Sequence, residues 1–220
     1  MQILAATHRT KPASRHLIQG LNPLIWTLKE HGIDPGPLLS KANIHSSALS
    51  QPNFRLNTEQ EIIFIQQVVE IMKQPDLGLT IGSAYHLSAY GILGMAIMTS
   101  DDLLTAAKNL FHNSLMTWTY MHWSLSEDNG IATLSLTPLR DLGSCHQYMI
   151  DRGLIASYLI FKESLGRDLP LLEINMMQDK PDYSESYSAL FDCEVNFNCE
   201  FNNYKFDADY LLASHSECQI

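Results

Sequence analysis

The segment from Leu77 to Phe111 constrains the fold of this chain more than any other, because repeated glycines run into a long apolar stretch. The glycines are Gly78, Gly82, Gly91 and Gly94. Glycine is unfavourable inside regular helices, so its repetition indicates tight turns or close approach between backbones. The apolar stretch from Ile92 to Met98 is too short to cross a bilayer, and it therefore predicts a buried core segment.

Apolar residues recur at helical spacing in several other segments. Helices are predicted at residues 23–31, 34–42, 58–73, 103–118, 149–161 and 183–190. Thr58 and Glu61 have the spacing of a capping box at the start of the third of these. Ser100, Asp101 and Asp102 are suitable N-cap residues for the fourth.

From residue 120 onward the apolar period changes to two, which is typical of strands with one buried face. Two such runs flank residues 127–130 and predict a β-hairpin. Shorter strands are predicted at 172–176, 195–197 and 204–206, the last two around an Asn202-Asn203 turn. This order predicts an α+β fold, in which an N-terminal helical bundle packs on a small antiparallel or mixed sheet with a long covering helix.

Two groups of residues carry a family resemblance. The first is Gly78-Leu79-x-x-Gly82, Tyr90-Gly91-Ile92-Leu93-Gly94 and Leu103-Leu104-Thr105-Ala106; the second is Pro181, Tyr187, Leu190-Phe191, Val195-Asn196-Phe197 and residues 202–207. In order and spacing they resemble the arabinose-binding-like effector domain of AraC/XylS-family transcriptional regulators, over roughly residues 21–213. Asp192-Cys193-Glu194 departs from the pattern, since the family usually has a glycine and a proline near this turn.

The resemblance implies a ligand-sensing domain of a bacterial DNA-binding transcription factor, one that binds a small effector and forms a homodimer. We expect a flexible arm at residues 1–18, an effector-binding and dimerisation domain at 19–213, and the start of a linker at 214–220. The family's C-terminal helix-turn-helix domain would then be missing, so that promoter DNA is bound only through that domain. The chain is accordingly expected to be a shortened regulator or a rarer stand-alone relative.

Charge and composition agree with this class. The formal net charge of -10 repels phosphate backbones and anionic lipids, so we expect neither direct DNA binding nor membrane binding. No apolar run is long enough for a transmembrane helix, and the N-terminus lacks the apolar core of a signal peptide, which favours a cytoplasmic location. The four cysteines show no C-x-x-C spacing, and we expect no structural disulfide.

Aromatic residues near the glycine turns and the predicted hairpin are the best candidates for a ligand site, since small-molecule pockets are mostly apolar and aromatic. Arg152 could anchor a carboxylate. The candidate ligand-binding residues are Tyr85, Tyr90, Met95, Met98, Trp118, His122, Trp123, Arg152 and Tyr158. Each of them also fits an ordinary core or surface role.

Other classes receive less support. The sequence contains nine histidines but neither H-E-x-x-H nor a His/Cys cluster with zinc spacing, so we expect no metal and no cofactor. Nucleophile-elbow, P-loop and dinucleotide-binding motifs are also missing, which argues against an enzyme and against catalytic residues. The main alternative is a stand-alone small-molecule or haem sensor that acts through a protein partner.

Overall fold

The structure, a computed structural model, describes residues 2–5 and 16–213. The α-helices are α1 (Asn22–Glu30), α2 (Gly36–Lys41), α3 (Thr58–Met72), α4 (Leu77–Gly82), α5 (Ile92–Met98), α6 (Leu103–His112), α7 (His146–Leu165) and α8 (Ser184–Phe191). The strands are β1 (Gln2–Ala5), β2 (His16–Leu17), β3 (Arg55–Leu56), β4 (Met121–Asp128), β5 (Ile131–Pro138), β6 (Leu171–Asn175), β7 (Glu194–Asn196) and β8 (Asn202–Asp207). The predicted α+β class is confirmed.

The main sheet has the strand order β1-β4-β5-β8-β6-β7, and all its pairs are antiparallel except β6 with β7. The predicted hairpin is β4–β5, in which Trp123 lies opposite Leu136. Its turn residues Asn129 and Gly130 both have positive φ, as the tight turns favoured in hairpins require. β2 and β3 form a separate two-stranded sheet.

Helix α7 is the long helix of the fold, and it packs against α4, α6 and β5. The glycines of α4 allow its backbone to approach α7 closely, as their repetition predicts. A Cβ at Gly82 would lie 2.2 Å from Cγ2 of Ile155, and a Cβ at Gly78 would lie 2.5 Å from the carbonyl oxygen of Tyr148. Side chains cover α7 on several faces, so even Asp151 and Arg152 are buried.

Two predictions about helix ends are wrong. Helix α6 ends at His112, and a separate 3-10 turn, Ser114–Met116, follows it. The capping box of α3 is formed by Asn57 and Gln60, one residue earlier than the predicted pair. Because both residues of each pair are suitable cap types three positions apart, the sequence pattern alone did not separate them.

The predictions for the last strands and for the apolar run also need correction. Asn202 and Asn203 lie inside β8 and do not form a turn between the last two strands. β7 pairs with β6, which lies between β7 and β8 in the sheet. The run Ile92–Met98 is not a buried segment but the amphipathic helix α5. It buries Leu93 and Ile97, whereas Ile92, Met95 and Met98 are 75%, 66% and 54% exposed.

The predicted flexible arm, residues 1–18, contains regular structure where it is described. Gln2–Ala5 pairs with β4, and His16–Leu17 pairs with β3. Residues 6–15, and the predicted linker at 214–220, lie outside the described residues. Within the described ranges, no helix combines the length and the apolar character needed to cross a bilayer.

Candidate functional site

A small cavity lies between α7, the start of β4 and the segment that joins α6 to β4. The volume of this cavity is about 50 Å³. Apolar and aromatic side chains make up most of its wall, together with Arg152 and several hydroxyl groups. The wall consists of Tyr85, Tyr90, Leu110, Ser114, Thr117, Trp118, Thr119, Tyr120, Met121, Trp123, Met149, Arg152, Gly153, Ala156, Ser157 and Ile160. We call it the inner cavity.

Arg152 is the buried cation of this wall, at 5% exposure. Its Nη2 donates a hydrogen bond to the carbonyl oxygen of Trp118 over 2.6 Å. Its guanidinium also lies over the rings of Tyr85 and Tyr148, with Cζ 5.7 and 5.6 Å from the ring centroids. The other terminal nitrogen, Nη1, is buried without a hydrogen-bond partner among the described residues. Such a donor is costly to bury, so Arg152 is suited to an anion that enters the cavity.

Trp118, whose carbonyl oxygen accepts from Arg152, is held firmly by the contacts of its indole ring. Its indole Nε1 donates to the carbonyl oxygen of Leu17 over 3.0 Å. Gly20 lies against the ring so closely that a Cβ there would be 2.2 Å from Cδ1 of Trp118. The rings of Tyr85 and Tyr90 pack against the indole with centroid distances of 5.8 and 5.1 Å. The tryptophan is therefore a fixed wall of the inner cavity.

A buried polar chain runs from the cavity wall to the small sheet. The hydroxyl of Tyr120 donates to Oε2 of Glu61 over 2.6 Å, and Nδ1 of His16 lies 2.7 Å from the same oxygen. Burial opposes ionisation of Glu61, but His16, Tyr120 and the charge of Arg152 together hold its pKa below the usual range. Glu61 is therefore a carboxylate, and Nδ1 of His16 donates to it.

The structure brings five of the nine predicted residues together in the inner cavity: Tyr85, Tyr90, Trp118, Trp123 and Arg152. Arg152 is not the solvated or partly exposed side chain that the sequence also allowed. Its burial follows from its position on α7, which neighbouring elements cover on several faces.

The other four predicted residues lie elsewhere. Met95 and Met98 are on the exposed face of α5, because the buried face is occupied by Leu93 and Ile97. His122 precedes Trp123 on β4, and successive strand residues point to opposite faces of a sheet. Tyr158 packs against Phe191 and Tyr204, with ring centroids 5.4 and 6.4 Å away, and it does not line the inner cavity.

Sequence reasoning missed several cavity residues and the polar chain behind them. Met149 and Ala156 lie three positions before and four positions after Arg152 on α7, and helical spacing from Arg152 could have found them. Glu61 had no comparable signal. It is 45 residues from His16 and 59 from Tyr120, so only the folded chain places the three together. No group of three or more potential metal ligands occurs in the part of the chain that the structure describes.

Comparisons with known proteins place this geometry in context. Residues 32–214 match the family described as the arabinose-binding domain of AraC transcription regulator, N-term. The ornithine utilization regulator of Pseudomonas aeruginosa is 22% identical over 188 residues, which are 86% of this chain and 56% of that protein. The crystal structure of the transcriptional regulator CdpR from Pseudomonas aeruginosa aligns with a TM-score of 0.67 and 18% identity, over 88% of this chain and 56% of that one. The chain thus spans about half the length of both.

Proposed function

This chain belongs to the family of N-terminal arabinose-binding domains of AraC transcription regulators, and on that premise we propose that it senses a small effector and so controls promoter binding by the intact protein. The observation that carries the proposal is the inner cavity, with its aromatic wall and its buried, half-satisfied guanidinium. The role is binding without catalysis. DNA contact belongs to another part of the intact regulator, which acts in the cytoplasm.

The proposed effector carries a carboxylate or a similar anion. Nη1 of Arg152 is a donor with no hydrogen-bond partner in the described part of the chain, and an ionised acceptor forms a stronger hydrogen bond with a guanidinium than a neutral one does. Tyr85, Tyr90 and Trp123 supply apolar area around the anion and keep water away from it. A metal or a haem is not part of this proposal.

The proposed signal starts at the contact between Arg152 and Trp118. Nη2 of Arg152 holds the carbonyl oxygen of Trp118, in the segment that joins α6 to β4. An anion that engages the same guanidinium competes with this hydrogen bond or reorients it. The half-buried Tyr90, which packs on the fixed indole of Trp118, would then shift. A ligand that prefers the rearranged state shifts the population towards it, which is the requirement for control of a distant domain.

The test is a thermal-shift screen of acidic and neutral metabolites, followed by calorimetry on any hit. We expect the hit to be an anion and Arg152→Lys to weaken it roughly tenfold, because lysine keeps the charge but loses the planar fork. Arg140→Lys is the matched control, since Arg140 is exposed and outside the inner cavity. Unchanged affinity in Arg152→Lys and in Trp123→Leu would reject the inner cavity as the effector site.

Self-association remains a prediction from the family. Helices α6 and α7 are poorly placed to form the contact, because α7 is covered by neighbouring elements and α6 buries its apolar face. The exposed apolar side chains of this region are instead Ile92, Met95 and Met98 of α5.

A further inference from the structure

A second cavity lies on the outer side of Tyr90 and Trp118. Its volume is about 290 Å³, and we call it the outer groove. Tyr90, Thr117 and Trp118 line both this groove and the inner cavity, so these residues are the partition between the two. The rest of the outer groove includes His16, Leu17, Arg55, Ile92 and Met116.

The sizes of the two spaces limit how a ligand can be placed. About 50 Å³ in the inner cavity is less than the share of two water molecules in the liquid, at about 30 Å³ each. A carboxylate group fits there, but the body of a metabolite does not. Typical ligand pockets measure roughly 300–1,000 Å³, and the outer groove is close to the lower end of that range. A ligand whose anion reaches Arg152 must therefore place its body in the outer groove.

The two sides of the partition are not held equally firmly. Trp118 is fixed by its bond to Leu17 and by the close approach of Gly20. Tyr90 is only half-buried and ends a short 3-10 turn, and the next residue, Gly91, has φ +55 and ψ −126. That conformation is open to glycine and unfavourable for other residues, so the backbone beside Tyr90 has a natural pivot. Displacement of Tyr90 would join the two spaces.

His16, on the wall of the outer groove, carries an unsatisfied polar atom of its own among the described residues. His16 is 2% exposed, and its Nε2 has no hydrogen-bond partner within the described ranges. Nδ1 already donates to the Glu61 carboxylate. Nε2 therefore offers a lone pair when the imidazole is neutral and an N–H when it is protonated. A hydroxyl group satisfies either form, because it both donates and accepts.

The charge of the groove selects among polar groups. Arg55 is on the same wall and repels an ammonium group. Arg152 lies beyond the partition and adds to the positive field, whereas Glu61 is already engaged by His16 and Tyr120. A neutral hydrogen-bonding group suits His16 better than a cation does.

We propose that the outer groove is a second subsite for the same effector, and that the effector is a hydroxy acid or a similar carboxylate with a neutral polar group at its far end. Its carboxylate meets Nη1 of Arg152, its body passes Tyr90, and its hydroxyl meets Nε2 of His16. This inference rests on the proposed function, because it assumes that the inner cavity takes the anion.

The test uses paired probes: straight-chain carboxylates of four, six and eight carbons, each with and without a terminal hydroxyl. Calorimetry on the wild-type protein should show that the hydroxyl strengthens binding about tenfold at one chain length, because it satisfies a buried polar atom. His16→Asn should abolish that increment. Asparagine keeps a donor near the place of Nδ1 and removes the atom at the place of Nε2. His45→Asn is the matched control, as His45 is exposed and lines neither space.

The outcomes separate the two proposals. If the simple acids bind and the hydroxyl changes nothing at any length, the second subsite is wrong and the proposed function stands. The second subsite is also wrong if the hydroxyl strengthens binding equally in His16→Asn. If no acid binds and the screen yields a neutral effector that ignores Arg152→Lys, both proposals fail. Should His16→Asn not fold, the paired acids on the wild-type protein still test the second subsite, because the lack of a hydroxyl increment at every chain length would overturn it.

Discussion

Asp151 provides the sharpest test of how this fold holds a buried charge. It lies on α7 next to Arg152 and is completely buried. Gln147 donates to its Oδ1 over 2.6 Å, Tyr183 donates to its Oδ2 over 3.0 Å, and Tyr187 donates to Oδ1 as well. Asp151→Asn removes the charge while its amide can keep all three pairs, because the hydroxyl of Tyr183 can rotate to accept from the new NH₂ group.

The sign of the effect follows from the pKa. Burial raises the pKa of Asp151 from 3.8 to about 6, against the three hydrogen bonds that favour the carboxylate. The folded protein therefore binds this proton more tightly than the unfolded chain does, and this group makes stability fall as the pH rises from about 4 to about 6. A rise from 3.8 to about 6 corresponds to roughly 3 kcal/mol, at about 1.36 kcal/mol per pH unit. Above pH 7, Asp151→Asn should therefore raise the free energy of unfolding by roughly 2 kcal/mol.

The assay is urea unfolding of both proteins from pH 4.5 to pH 8, with the midpoint and slope fitted at each pH. We expect Asp151→Asn to be more stable than the wild type at pH 7–8 and the difference to shrink towards pH 4.5. Asp179→Asn is the control, because it removes an exposed carboxylate and should show no such trend. The reasoning would be refuted if the stability difference between the two proteins did not change with pH. It would also be refuted if the wild type were more stable than Asp151→Asn at pH 8.

Four further predictions concern packing and partners. Arg152→Ala should lower the free energy of unfolding by about 2 kcal/mol, measured in urea, because the bond to Trp118 is lost and the site is buried. Gly82→Ala should lower the melting temperature by several degrees, since its Cβ would lie 2.2 Å from Ile155; an unchanged value would contradict the close approach of α4 and α7. In a gel shift at physiological salt, residues 1–220 should not bind their own promoter with nanomolar affinity, because their net charge is -10. Sedimentation at micromolar concentration should show a dimer, and a strict monomer would remove dimerisation from the role of this domain.

Local patterns in the sequence were sufficient for most of the elements. The two-residue period and the Asn129-Gly130 turn predicted the β4–β5 hairpin, because alternation and turn chemistry act between near neighbours along the chain. The repeated glycines of α4 predicted a close backbone approach, because a residue without a Cβ leaves room for another backbone. The aromatic residues near the glycine turns and the hairpin were predicted to share one site, and Tyr85, Tyr90, Trp118 and Trp123 do line one cavity; that it binds a ligand stays a prediction.

Tertiary structure alone decided the character of the site. Whether a long side chain such as Arg152 reaches water or a cavity depends on which elements cover its helix, and the period of α7 does not contain that information. For the same reason Met95 and Met98, which look like core residues, remain on the outer face of α5. The contact of His16 and Glu61 joins residues that are 45 positions apart. Such contacts form only when distant segments pack together, so they are properties of the folded chain and not of any window of the sequence.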